Sequence, residues 1–167
     1  MAFSPASLET ALPDCPGASH YWVAYSGGVD SHALLHAMAA LRLPGGAALG
    51  AVHVNHGLQA GAADWEVHCQ WLCRFLQVPF IGRSLTVQGN SEAAAREARY
   101  RVFEQQLGAG EVLFLGHHLD DQVETVLMRV LSGTGLRGLA AMRPRNEALI
   151  RPLLAVPRHD LLAYARN

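Results

Sequence analysis

Six consecutive residues, Ser26-Gly27-Gly28-Val29-Asp30-Ser31, combine the groups needed to hold a phosphate. They follow an apolar run, Tyr21 to Tyr25, that reads as a buried strand, and precede a helical pattern carrying Leu34, Leu35, Met38 and Leu41. A glycine pair between strand and helix lets the backbone approach a ligand closely. The N–H groups of the turn and of the helix N-terminus then face an anion, with the Ser26 and Ser31 hydroxyls as further donors. Asp30 would repel phosphate unless a divalent cation bridged the two, so the motif implies Mg²⁺. The chain contains no lysine, which excludes a Walker A loop, and the spacing is not G-x-G-x-x-G. The competing reading is an ordinary serine or aspartate helix cap behind a glycine turn.

Three further groups could complete a site. His53, Asn55 and His56 lie where a second strand, Ala48 to Val54, ends, the position at which an α/β sheet receives an adenine or ribose; each histidine could equally be a solvated loop residue. Arg96 and Arg99 are three apart on a helix and could share one phosphate, or pair with Glu92 and Glu97 on its surface. His117, His118, Asp120, Asp121 and Glu124 follow a fourth strand. Asp121 and Glu124 share a helical face and could hold Mg²⁺ or an ammonium group, and either histidine could move protons; helix capping by Asp120 is the alternative. Cys69 and Cys73 read as core with Trp65, Leu72 and Leu76, and Trp22, Trp71, Phe75 and Phe114 likewise read as core.

The strand, Ser-Gly-Gly-x-Asp-Ser, helix arrangement resembles the PP-loop of the N-type ATP pyrophosphatases, which cleave ATP between the α and β phosphates. Val52-His-Val-Asn-His-Gly-Leu58, Glu92-Ala-Ala-Ala-Arg-Glu-Ala-Arg-Tyr100, Gly116-His-His-Leu-Asp-Asp-Gln-Val-Glu-Thr125 and Leu149-Ile-Arg-Pro-Leu-Leu154 then occur in order. Together these motifs resemble the tRNA(Ile)-lysidine synthases. The resemblance implies ATP and Mg²⁺ as cofactors, and L-lysine and an isoleucine tRNA with a CAU anticodon as partners. In the implied reaction the C2 oxygen of the wobble cytidine attacks the α phosphate and pyrophosphate leaves; the lysine amine then displaces AMP. It further implies that Ser26 to Ser31 cradle phosphates, with His53, Asn55 and His56 at the nucleotide. Asp30 with Asp120 or Asp121 would hold the metal, Arg96 or Arg99 would offset charge, His117 would assist proton transfer, and Asp121 and Glu124 would recognise lysine. The Arg-rich loop from Arg137 to Arg145 would approach tRNA phosphates. Thiolation of tRNA by a related PP-loop enzyme and a non-catalytic adenine-nucleotide sensor are the alternatives.

The elements that must position these groups alternate. Strands are expected at Tyr21 to Tyr25, Ala48 to Val54, Phe80 to Leu85, Val112 to Leu115 and Ala148 to Leu154. Helices are expected at Ser31 to Leu41, Asp64 to Gln77, Ser91 to Leu107 (capped by Asn90 or Ser91) and Asp120 to Leu131. Apolar strands alternating with helices argue a doubly wound α/β domain, a parallel sheet of about five strands with helices on both faces. Residues 1–20 read as a poorly ordered leader, 21–156 as the nucleotide-binding domain, and 157–167 as the start of a helix leading to tRNA-binding domains. On that reading the chain binds ATP but modifies tRNA weakly or not at all.

Composition agrees with a single domain. The 167 residues are 50% hydrophobic and 16% charged, which excludes disorder. The longest apolar stretch, near Ala33 to Leu41, is far short of the roughly 18 residues a membrane span needs. Three cysteines without C-x-x-C spacing suggest neither a disulfide framework nor a zinc ribbon, and the expected compartment is the cytoplasm. Residues 1–124 hold 6 Arg against 12 acids, and residues 125–167 hold 7 Arg against 2. The basic end is a candidate polyanion surface, with scattered solvated arginines as the alternative. A homodimer is compatible with all of this.

Overall fold

The computed structural model describes residues 2–12, 18–41, 43, 46–55, 62–85, 92–133 and 141–167. His56, Cys15, Pro44, Asn90, Ser91, Arg137 and the Glu92 side chain lie outside the described residues. The elements run α1 (Pro5–Ala11), β1 (His20–Ala24), α2 (Val29–Ala39), β2 (Ala48–Asn55), α3 (Ala62–Phe75) and β3 (Phe80–Ser84). They continue with α4 (Glu92–Gln106), β4 (Glu111–Phe114), α5 (Leu119–Leu131), β5 (Arg145–Asn146), β6 (Leu149–Ile150) and α6 (Arg158–Arg166). The sheet order is β3-β2-β1-β4-β6-β5. The first five of these strands are parallel, and only β5 pairs antiparallel, with β6. The expected doubly wound sheet therefore carries one additional two-residue edge strand, drawn from the segment expected to be a loop.

Both sheet faces are covered, as runs of apolar residues in β1 and β4 require. Val23 and Phe114 face a core completed by Leu34, Leu35 and Met38 of α2, Cys69 and Cys73 of α3, and Leu161 of α6. Trp22, Val52, Val54 and Leu113 face the other side, where Phe103 and Tyr100 of α4 close a second cluster. Alternation along a strand explains the split: Trp22 and Val23 are neighbours in sequence and belong to opposite faces.

Three expectations are corrected. The leader contains α1, closed by a capping box between Ser4 and Ser7, and its Leu8 is buried in the main core, so residues 2–12 pack as structure. The fifth strand is only Leu149–Ile150, because the chain turns at residues 152–155. On α3, Trp65, Trp71 (60% exposed) and Phe75 (74% exposed) are outside the core. The residues of α3 that meet the sheet side are the small Cys69 and Cys73, with Leu72 and Leu76 packed alongside. Among the described residues no helix is long and apolar enough to cross a membrane.

Candidate active site

The chain leaves β1 for β2 on one side and later enters β4 on the other, so the sheet order reverses between β1 and β4. Open parallel sheets bind ligands in the crevice beyond the carboxyl ends of the strands at such a reversal. Here Val23 and Phe114 are in register, and the segments Ala24–Ser26 and Leu115–His117 leave the sheet side by side. A cavity of about 180 Å³ opens there, with Ser26, Asp30, Ser31, Arg99 and His117 among its polar lining. Val52, Val54, Phe103 and Leu115 supply an apolar wall, and Tyr100 joins it. That combination suits a ligand with a flat apolar portion and an anionic portion.

The loop after β1 is fixed from within. The Ser26 and Ser31 hydroxyls lie 3.0 Å apart, Ser31 donates to the Gly28 carbonyl at 3.0 Å, and the Gly28 N–H donates to Ser26 Oγ at 3.3 Å. Gly27 has φ +82°, a left-handed conformation that glycine adopts without strain. Gly116 matters for a different reason: a Cβ there would lie 3.2 Å from the Ser31 Cα and backbone N, a tight contact that a larger residue could make only if the start of α2 gave way by a few tenths of an ångström.

His118, not Asp120, caps α5. Its Nδ1 accepts from the Asp121 N–H at 3.4 Å, while Asp121 Oδ2 accepts from the His118 N–H at 2.9 Å. The buried imidazole also lies between the carboxylates, with Nε2 3.6 Å from Asp30 and Nδ1 3.8 Å from Asp120. Asp120 Oδ2 accepts from the Arg158 N–H at 2.9 Å, and that bond holds its carboxyl below the usual range. The Arg158 guanidinium lies 3.5 Å from Asp30 Oδ1. Even so, Asp30 Oδ1 is buried without a hydrogen-bond partner among the described residues.

His117 faces the cavity in a basic setting. Burial pushes its pKa down to about 4, and the nearby Arg151, Arg96 and Arg99 act in the same direction against Asp121. The ring is therefore neutral at pH 7, and its Nδ1 is buried and unpartnered among the described residues. Arg151 is itself buried and donates to the Arg143 carbonyl at 3.1 Å.

The structure sorts the expected residues. It brings Ser26, Asp30, Ser31, Arg99 and His117 to one cavity, with Gly27 and Gly28 in the turn between β1 and α2 and Val29 opening that helix. Arg96 is exposed, with its guanidinium carbon 5.2 Å from the centre of the Tyr100 ring, and Glu97 pairs with Arg101 rather than with it. Asp121 lies at the α5 cap, and Glu124 one turn further is exposed. His53 is a correction: it is buried on the face of β2 opposite Val52 and Val54, with Nδ1 2.8 Å from the Tyr25 carbonyl, so it braces the strand end and does not line the cavity. The Asn55 amide ties β2 to α3 through the Ala62 carbonyl and Glu66, and Asn55 is not among the residues that line the cavity. Sequence reasoning missed His118 as the cap, Arg151 beside His117 and Arg158 beside Asp30. Arg151 stood inside a quoted motif without a role. Of the basic excess of residues 125–167, Arg151 is buried while Arg158 stays exposed beside Asp30.

Cys69 and Cys73 are buried, and burial pushes their thiols up to about 11 and about 12. Neither is a nucleophile or a metal ligand in that state. Among the described residues no group of three or more His, Cys, Asp or Glu could hold a metal ion.

Relatives agree with the geometry. The chain is 53% identical over 166 residues to the tRNA(Ile)-lysidine synthase of Pseudomonas aeruginosa, covering 95% of this chain and 38% of that protein. It is 43% identical to the tRNA(Ile)-lysidine synthase of Coxiella burnetii, covering 99% of this chain and 38% of that one. The chain thus spans well under half the length of these curated relatives. Among solved structures, the U34-tRNA thiolase NcsA from Methanococcus maripaludis superposes with a TM-score of 0.74 at 18% identity, over 97% of this chain and 62% of that one. NMN synthetase from Francisella tularensis gives 0.63 at 13% identity, over 98% and 70%. At such identities these two share the fold alone. The model of the PP-loop domain matches residues 5–167, from α1 through the crevice to α6. With a glycine loop, a switch-point cavity and a match over nearly its whole length in agreement, the chain belongs to the PP-loop domain family.

Proposed function

We propose that this chain supplies the ATP-using site of a lysidine synthase. In that reaction ATP activates the C2 oxygen of the wobble cytidine of an isoleucine tRNA with a CAU anticodon, and L-lysine displaces AMP to form lysidine. The observation that carries the reading is the cavity where Ser26, Asp30 and Ser31 meet Arg99 and His117 at the β1/β4 reversal. The names of the 43–53% identical relatives support the choice of substrate.

The loop donors and Ser31 hold phosphate oxygens, and the apolar wall with Tyr100 receives the base. Arg99 offsets charge developing on the reacting phosphorus oxygens, and Arg96 stands one helical turn before Tyr100 to assist. Asp30, whose buried Oδ1 accepts no hydrogen bond among the described residues and faces Arg158 at 3.5 Å, fits Mg²⁺ best. Asp120 and Asp121 fit less well, because their Oδ2 atoms already accept the Arg158 and His118 N–H groups. A single protein carboxylate suffices for an ion that takes its other ligands from phosphates and water, and Mg²⁺ there would neutralise phosphate charge. Asp121 and Glu124 present carboxylates on one side of α5 for the lysine ammonium. His117, uncharged and lining the cavity, accepts a hydrogen bond from the attacking amine. Residues 137–145 approach tRNA phosphates, and the setting is the cytoplasm.

The test is transfer of AMP from α-labelled ATP to unmodified tRNA with lysine withheld, using the chain joined to the remainder of a full-length lysidine synthase. Label should enter the isoleucine tRNA and leave it when lysine is added. Label that never enters tRNA while ATP is consumed would overturn the assignment.

A further inference from the structure

Trp65 is half exposed at the first turns of α3 and contributes little to the core, yet it makes a specific contact. Its indole N–H donates to the Ser26 carbonyl at 2.8 Å. The loop also rests against α3 sterically: a Cβ on Gly27 would lie 2.6 Å from Cys69 Sγ and 2.7 Å from Trp65 Nε1. Trp65 and Cys69, four apart on one side of the helix, thus form a shelf under the loop.

We infer that Trp65 is a positioning residue that sets the orientation of the Ser26–Gly27 peptide for phosphate. The peptide unit is planar and trans, so its carbonyl and N–H point in opposite directions. Holding the Ser26 carbonyl on the indole turns the Gly27 N–H away from α3, and that N–H has no acceptor among the described residues. A glycine at φ +82° has little side-chain resistance to rotation of this peptide, and the opposite orientation would present a carbonyl oxygen to the anion. The indole bond removes that alternative. The inference rests on the reading of this loop as a phosphate site.

The test compares Trp65→Phe with Trp71→Phe, a substitution on the same helix that does not touch the loop, by equilibrium binding of Mg²⁺–ATP, inorganic pyrophosphate and adenosine to the 167-residue chain. Trp65→Phe keeps an aromatic ring and loses the donor. It should weaken ATP and pyrophosphate about fivefold, the loss of one neutral hydrogen bond that orients the peptide, and leave adenosine unchanged. Trp71→Phe should change none of the three. Equal loss for adenosine and ATP, or no loss for ATP, would overturn the inference while leaving the phosphate reading intact. Failure of the wild-type chain to bind ATP or pyrophosphate would overturn both. Exchange of the indole hydrogens in the wild-type chain gives a readout without substitution: the Trp65 N–H should exchange more slowly than that of Trp71, and equal rates would count against the bond.

Discussion

Two helices leave the ends of adjacent parallel strands, carry carboxylates in their first turns and are built in opposite ways. Behind the phosphate loop, α2 buries Ser31, Ala33, Leu34, Leu35, Ala37 and Met38, sandwiched between the sheet and α6. Behind His117, α5 buries nothing, and Val123, Leu127 (56% exposed), Met128 and Leu131 face outward. Its attachments are polar and few: the His118 cap, the Asp120 bond to Arg158, and the paired amide bonds between Gln122 and the Met142 backbone. The α2 end of the crevice is thus held by packing, whereas α5 is held by hydrogen bonds near its start. On the proposed function, groups that cradle a triphosphate need sub-ångström placement, which a buried helix would provide.

The comparison breaks most visibly at Asp30. Asp30→Ala should lower AMP formation at least about 100-fold while changing stability by no more than about 1 kcal/mol, because the partly exposed carboxylate makes only loose ion pairs, at 3.5 Å to Arg158 and 3.6 Å to His118. Activity assays with a melting curve decide it. Leu34→Ala in α2 should cost about 3 kcal/mol in denaturant unfolding, the usual penalty for a fully buried leucine.

His117 links the site to pH. Its imidazole titrates near its ordinary value of 6.5 when unfolded and near about 4 when folded. Between those values the unfolded chain binds a proton that the folded chain does not, so stability falls as pH drops from 6.5 toward 4. His117→Gln should flatten that part of the stability curve, measured as the difference from wild type. Smallest of all should be Leu127→Ser on α5, within about 0.5 kcal/mol of wild type. A cost matching that of Leu34→Ala would show that α5 is packed after all.

Much of this was legible in the residues. The β/α alternation and the glycine loop marked the sheet and its switch point, because apolar runs bounded by turns leave few other arrangements. What escaped depends on neighbours remote in sequence. Trp65 lies at the helical phase of the buried stripe, but at the first turns of α3 the neighbour is the phosphate loop rather than the sheet. Trp71 and Phe75 read as core from their apolar character, while the sheet receives the cysteines and both rings stay exposed. His53 and Val52 adjoin in sequence, and only the strand's facing decides which lines the cavity. Arg158 reaches Asp30 through a turn and a helix start that no local pattern announces.

On the proposed function, this site activates a tRNA base for attack by lysine. Its most direct test is incorporation of labelled lysine into unmodified isoleucine tRNA with Mg²⁺ and ATP, using the chain joined to the remainder of a full-length lysidine synthase, in wild-type and Asp30→Ala forms. The account predicts lysine in the tRNA from the wild type, with equimolar AMP, and at least about 100-fold less from the variant. Equal incorporation by both forms, or none by the wild type while ATP remains bound, would contradict it.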